Sequence, residues 1–219
     1  MKFSIFVYSG IPGVGKTYLI NKEAERLRKL GKKVYIWTER AYLFCLSMFY
    51  NKIPGSAFNI QSESWNGKQY IAENVMDILK NEPDSIHLIE RGIHDCYKIF
   101  TSVLETETWP EKKFVSGKWV ETGKMIPALN KAECKVLKKN YINCQKNSYI
   151  WSNCTYVFIN TSIDKSLNRI MKRGRKSEIN IEKEYLELLQ KAGEEMKDWL
   201  SKNFKNIKIT DIDNEKDDI

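Results

Sequence analysis

The chain has 219 residues and 25.7 kDa, the size of one single-core domain or two small ones, and its 42% hydrophobic and 29% charged content excludes a disordered or fibrous protein. Its net charge of +8 suggests a nucleic-acid partner until it is located: nine lysines against three glutamates between residues 111 and 146 supply +6, without arginine forks, which reads as a solvated face. No apolar run nears the roughly 18 to 20 residues of a membrane span, and five cysteines (Cys45, Cys96, Cys134, Cys144, Cys154) without CxxC spacing, beside two histidines, point to free thiols rather than disulfides or a zinc site.

In chain order, Met1 to Tyr8 lacks the cleavage site of a secretory signal, so a cytoplasmic protein is expected, and Lys2 to Ser9 reads as a strand. A glycine-rich turn leads to a helix over Thr17 to Leu30, closed at Gly31, and then to a second strand over Lys33 to Thr38, a βαβ opening that implies parallel strands. Arg40 to Tyr50 and Gln69 to Lys80 read as helices, and Asn81 to Asp84 punctuates before a third strand at Ser85 to Ile89. Cys96 to Ser148 reads as mostly helical, broken near Lys113 to Val120 by a small hairpin or loop. Thr155 to Asn160 is a fourth strand, Asp164 to Lys172 a helix, Ile181 to Asn203 a long amphipathic helix and Ile207 to Ile212 a last strand. The acidic tail over 211–219 is expected to fray. One α/β domain over 1–219 is expected, a three-layer fold with a five-stranded parallel sheet flanked by helices.

Gly10-Ile11-Pro12-Gly13-Val14-Gly15-Lys16-Thr17 matches the phosphate-binding pattern G-x-x-x-x-G-K-[ST] and lies between a strand and a helix, the context the pattern requires. Its glycines let backbone N–H groups converge on phosphates at a helix N-terminus. Lys16 is the expected partner of the β and γ phosphates and Thr17 of Mg²⁺. Such loops serve ATPases, GTPases, kinases and motors, so the remaining residues must decide the reaction.

Glu39 and Arg40 end the second strand, on the sheet edge where ligands gather, and a carboxylate there is placed to take a proton from an acceptor hydroxyl. Glu90-Arg91 ends the third strand, with Glu90 placed to reach Mg²⁺ and Arg91 to hold a reacting oxygen. In RIMKRGR, Arg169 and Arg173 share a helix face and Gly174 lets Arg175 fold back, which suggests an arginine lid over 169–180. Gln61 offers an amide suited to a base edge or simply to solvent, and Trp37, Phe44, Phe49, Tyr50, Phe58 and Trp65 read as core more readily than as stacking residues.

The succession GIPGVGKT, TER, FNIQ, ERGIHDCYKIF and RIMKRGRKSEINIEKEYLELL resembles the deoxyribonucleoside kinase family of the deoxycytidine, deoxyguanosine and deoxyadenosine kinase type, over roughly residues 3 to 213. The resemblance implies Glu39 as the base for the nucleoside 5′-hydroxyl, Glu90 at Mg²⁺, Arg91 at the 5′-oxygen and incoming phosphoryl group, and Arg169, Arg173 and Arg175 as lid arginines. It places Gln61 at the base edge, and Glu178 with Tyr50, or Phe49 in a shifted register, at the sugar 3′-hydroxyl. The chain departs from the family at Gly92, where serine is usual, at Asp95, which lacks its arginine neighbour, and at Lys68, which stands where an arginine accompanies the glutamine.

The expected activity is therefore ATP-dependent, Mg²⁺-assisted phosphorylation of a deoxyribonucleoside by a cytoplasmic enzyme, with the family implying a homodimer and no membrane partner. A thymidylate-like nucleoside monophosphate kinase is the alternative among enzymes, with Arg40 and Arg91 as spare arginines for a second phosphate. An ATPase module that binds nucleic acid or protein through the lysine-rich segment is the alternative of another class.

Overall fold

The computed structural model describes residues 4–39, 43–147 and 149–215. Strands β1 (Ile5–Ser9), β2 (Val34–Trp37), β3 (Ile86–Glu90), β6 (Thr155–Asn160) and β7 (Lys208–Asp213) form one sheet in the order β2-β3-β1-β6-β7, and every neighbouring pair is parallel. β1 and β3 are mostly apolar runs buried along nearly their whole length, as strands covered on both faces must be. Because the chain fills one side of β1 first and then returns to the other, the carboxyl end of β1 is a topological switch point, where open α/β sheets bind ligands.

Helices flank this sheet. α1 (Lys16–Lys29) turns Ile20 and Ala24 inward and ends in Arg26, Arg28 and Lys29, which suit the negative end of the helix dipole. α6 (Ile163–Arg173) starts at Ser162, whose hydroxyl accepts from the Lys165 N–H, and stops at Gly174 with φ 66°. α7 (Lys183–Asn203) buries Leu186, Leu189, Met196 and Leu200 at helical spacing. No helix among the described residues is long and apolar enough to cross a membrane.

The five-stranded parallel α/β architecture agrees with expectation; three segments differ. α3 spans Ser56–Asn81, starting 13 residues before the expected Gln69, because its inward face carries Gln61 and Lys68 among Ala57, Trp65, Ile71, Ala72 and Val75. Two polar residues on the buried face interrupt the apolar period on which the sequence reading relies. The mostly helical stretch expected after Cys96 is instead a π-helix (Asp95–Thr101), the short α4 (Ser102–Thr106), a long hairpin of β4 (Thr108–Val115) and β5 (Lys118–Pro127), and α5 (Lys131–Asn147). The Thr101 and Ser102 hydroxyls donate to carbonyls five residues back, Cys96 and Tyr97, which supports the wide turn. Ser116 and Gly117 both take positive φ, as a two-residue hairpin turn demands, within the hairpin or loop expected near Lys113 to Val120. The arms run further than expected, and beyond the buried Trp109 they are mostly exposed and rich in Lys, Glu and Thr, so no apolar alternation marked their full length.

Of the tail expected to fray from Asp211, the described residues are held in place. β7 pairs to Asp213, and the buried Asn214 donates its backbone N–H to Asn160 O at 2.8 Å.

Candidate active site

The site forms at the carboxyl edge of the sheet around the loop from Gly10 to Thr17, beside a cavity of about 670 Å³. The loop lies tight against α6: a Cβ on Gly13, where φ is +84°, would stand 2.3 Å from the Ser166 carbonyl oxygen. Only glycine fits both that torsion and that approach. Pro12, Gly13, Gly15, Lys16 and Thr17 line the cavity, while Ile11 and Val14 are buried and anchor the loop. Lys16 is buried, and its Nζ donates to the carbonyls of Gly10 at 3.1 Å and Ile11 at 2.9 Å. Burial, and then the nearby Arg91, lower its pKa to about 7 against the opposing pull of Glu90, Glu39 and Asp95.

Glu39, just past β2, and Arg91, just past β3, meet across the cavity mouth: Arg91 Nη1 donates to Glu39 Oε2. Lys68 Nζ lies 3.9 Å from the other oxygen, Oε1. Although burial raises the Glu39 pKa, Arg91, Lys68 and Lys16 together bring it down to about 2, so this carboxylate is ionised throughout the physiological range. Arg91 holds φ 58°, rare for a side chain of its size, and donates its N–H to Tyr8 O at 3.0 Å. Its guanidinium lies 4.7 Å from the centre of the Phe100 ring. Gly92 has a steric cause, since a Cβ there would stand 2.3 Å from the Tyr156 hydroxyl.

Thr17 Oγ1 lies 3.3 Å from both carboxylate oxygens of Glu90, and both residues line the cavity. A hydroxyl and a carboxylate at the mouth of a phosphate loop are an oxygen-only donor set of the kind Mg²⁺ takes alongside waters and phosphate oxygens. The residues present therefore fit that ion.

The lid arginines divide in two. Arg173 Nη2 donates to Glu178 at 2.6 Å and Arg175 lies 3.5 Å from the same carboxylate, all three lining the cavity. Arg169 also lines it, yet donates to Val14 O at 3.3 Å and Asn214 O at 2.9 Å, so it braces the phosphate loop. Phe49, Tyr50 and Tyr185 form an aromatic wall, the Tyr185 ring 5.9 Å from Phe49 and 6.5 Å from Tyr50. Burial and then Glu178 push the Tyr50 hydroxyl up, so it stays protonated and can donate.

Gln61 lines the cavity with its Oε1 buried and without a partner among the described residues, an acceptor left for a ligand. Two of the positions at which the chain departs from the resemblance, Lys68, standing where an arginine accompanies the glutamine, and Asp95, both candidates for the substrate side, do not line the cavity. Asp95 is fully buried, accepting from the Ser9 hydroxyl and, at 2.8 Å, from the Gly92 N–H, so it clasps the end of β3 to β1. Arg40 lies outside the described residues, as does the side chain of Phe44. Ser64, Cys96, Phe100 and Tyr185 line the cavity without having been singled out. Tyr185 sits in the quoted EYL sequence and was legible from it; Cys96 and Phe100 became legible only once the π-helix set their face.

Residues 120–219 match the deoxynucleoside kinase family, a stretch that includes the lid and α7 but begins after the phosphate loop, Glu39 and Glu90-Arg91. A structure of deoxyadenosine kinase from M. mycoides with bound dATP matches with a TM-score of 0.65 and 20% identity, covering 97% of this chain and 92% of that one. A second structure of that enzyme, with the products dCMP and a flexible dCDP, has a TM-score of 0.63, 20% identity and the same coverage. At this identity the likeness speaks for the fold, and no curated protein sequence matches the chain.

Proposed function

We propose, for a chain whose residues 120–219 match the deoxynucleoside kinase family, that it transfers the γ-phosphoryl group of ATP to the 5′-hydroxyl of a deoxyribonucleoside. The observation that carries the reading is the meeting of Glu39, Arg91 and Lys16 in one cavity with the phosphate loop and the lid.

The bond between the γ-phosphorus and the β,γ-bridging oxygen breaks, a bond to the 5′-oxygen forms, and the hydroxyl proton passes to Glu39. Glu39, ionised and held by Arg91, accepts the hydrogen bond of the attacking hydroxyl and orients it. Lys16, Arg91, Arg173 and Arg175 supply the positive charge that offsets charge on the transferring group. Thr17 and Glu90 would hold Mg²⁺, which, when bound, supplies further neutralisation of the triphosphate. Gln61 faces the base edge, and Tyr50 with Glu178 the sugar hydroxyl. Arg91, bonded to Glu39 and assigned to the transferring group, is not spare for a second phosphate on the acceptor, which weighs against a monophosphate kinase. The same reading makes the enzyme a cytoplasmic homodimer, with light scattering the test of its mass.

A panel of the four natural deoxynucleosides and their monophosphates with ATP tests the assignment. Glu39→Gln is expected to lower kcat by about 10²- to 10⁴-fold with little change in the KM for ATP. An unchanged kcat in that variant, or turnover of monophosphates only, overturns the reading.

A further inference from the structure

We infer that Lys68 is a positioning residue for the acceptor-side carboxylate, acting through Glu39 and the carboxyl end of β3, and not a contact to the nucleobase. This deepens the proposed function and rests on it.

The placement follows from α3. Gln61 and Lys68 share its inward face seven residues apart, two turns or about 10 Å along the axis. Gln61 lines the cavity and Lys68, whose side chain is 2% exposed, does not. An ammonium at such depth is tolerated only with close partners. Lys68 has two from the catalytic edge: its Nζ donates to the Glu90 carbonyl at 2.7 Å and stands 3.9 Å from Glu39 Oε1.

The two oxygens of Glu39 are thereby shared between two cations, Oε2 to Arg91 and Oε1 to Lys68. One cation alone would leave the carboxylate free to turn about its own axis, whereas two on different elements fix that rotation. Lys68 also ties Glu39 to the backbone of Glu90, so the acceptor-side carboxylate and the end of the strand that carries Arg91 are held by one side chain. A lysine suits this better than an arginine, because a compact ammonium reaches two partners from different directions and a planar fork does not. The base end consequently has no cation from α3, and its polar groups are the Gln61 amide, the Ser64 hydroxyl and the Cys96 thiol, which burial pushes up to about 12 and keeps neutral.

The test compares Lys68→Met with the wild-type chain on every deoxynucleoside accepted, and repeats Lys68→Met in the Glu39→Gln background. Expected is a fall in kcat of roughly 10- to 100-fold by one common factor for all bases, with KM within about 3-fold. In the Glu39→Gln background the same substitution should cost no more than about 2-fold, because the group it positions is gone. Should Lys68→Met fail to fold, Lys68→Arg, which keeps the charge and changes its geometry, is put through the same comparison. A changed ranking among bases, an unaltered kcat, or an equal loss in both backgrounds overturns the inference. Failure of the underlying reading looks different: Glu39→Gln alone then turns over at the wild-type rate, which overturns both.

Discussion

Two buried histidines carry no part of the chemistry yet set how the protein responds to acid. His87 hydrogen-bonds to Ser85 and to the Trp37 indole, and His94 to Tyr141 and the Trp151 carbonyl; both are fully buried. Burial lowers each pKa from 6.5 to about 4. Between those values the unfolded chain takes up protons that the folded chain refuses, so their contribution is intact above pH 6.5 and is lost as pH falls toward 4. A loss of about 2 to 3 kcal/mol per histidine is expected across that window. Thermal melts at pH 7.5, 5.5 and 4.5 check it, and His94→Gln should flatten part of the slope.

Elements far apart in sequence meet at a single carbonyl of the phosphate loop. Val14 O accepts from Asn214 Nδ2 at 2.6 Å and from Arg169 at 3.3 Å, and Arg169 in turn donates to Asn214 O. The last strand and the helix leading to the lid are thus coupled to the loop that cradles phosphates. Asn214→Ala removes a buried donor worth about 1 kcal/mol, so the KM for ATP should rise roughly 5-fold while that for the nucleoside holds. Initial rates with each substrate varied in turn decide it; equal shifts in both would mean that the latch stabilises the whole site instead. The hairpin of β4 and β5 behaves oppositely: Phe114, Val115, Trp119 and Val120 are exposed near its tip. Replacing residues 113–120 by Asn-Gly should leave the thermal midpoint within about 2 °C, since little core is lost.

At the scale of the molecule, one core supports the sheet and the site together. Leu88 is fully buried in β3, two residues before Glu90 and three before Arg91. Leu88→Ala is expected to cost about 2 to 5 kcal/mol in urea unfolding followed by circular dichroism. If the core is continuous, loss of activity and loss of ellipticity should share one midpoint.

The sheet, its parallel sense and the phosphate loop were legible because strand residues buried on both faces and a glycine-rich turn before a helix are local patterns. The same holds for Glu39, Glu90 and Arg91, which local apolar runs placed at strand ends. The rest was decided by tertiary packing. The first half of α3 was hidden because Gln61 and Lys68 point inward, and the full length of the hairpin, though not its Ser116-Gly117 turn, because its arms lack an apolar face. The partners of Lys68, Asp95, Arg169 and Asn214 depend on distances between segments tens to hundreds of residues apart. A side chain's type states what it can bond, whereas only the packed backbone determines which groups come within 3 Å of it.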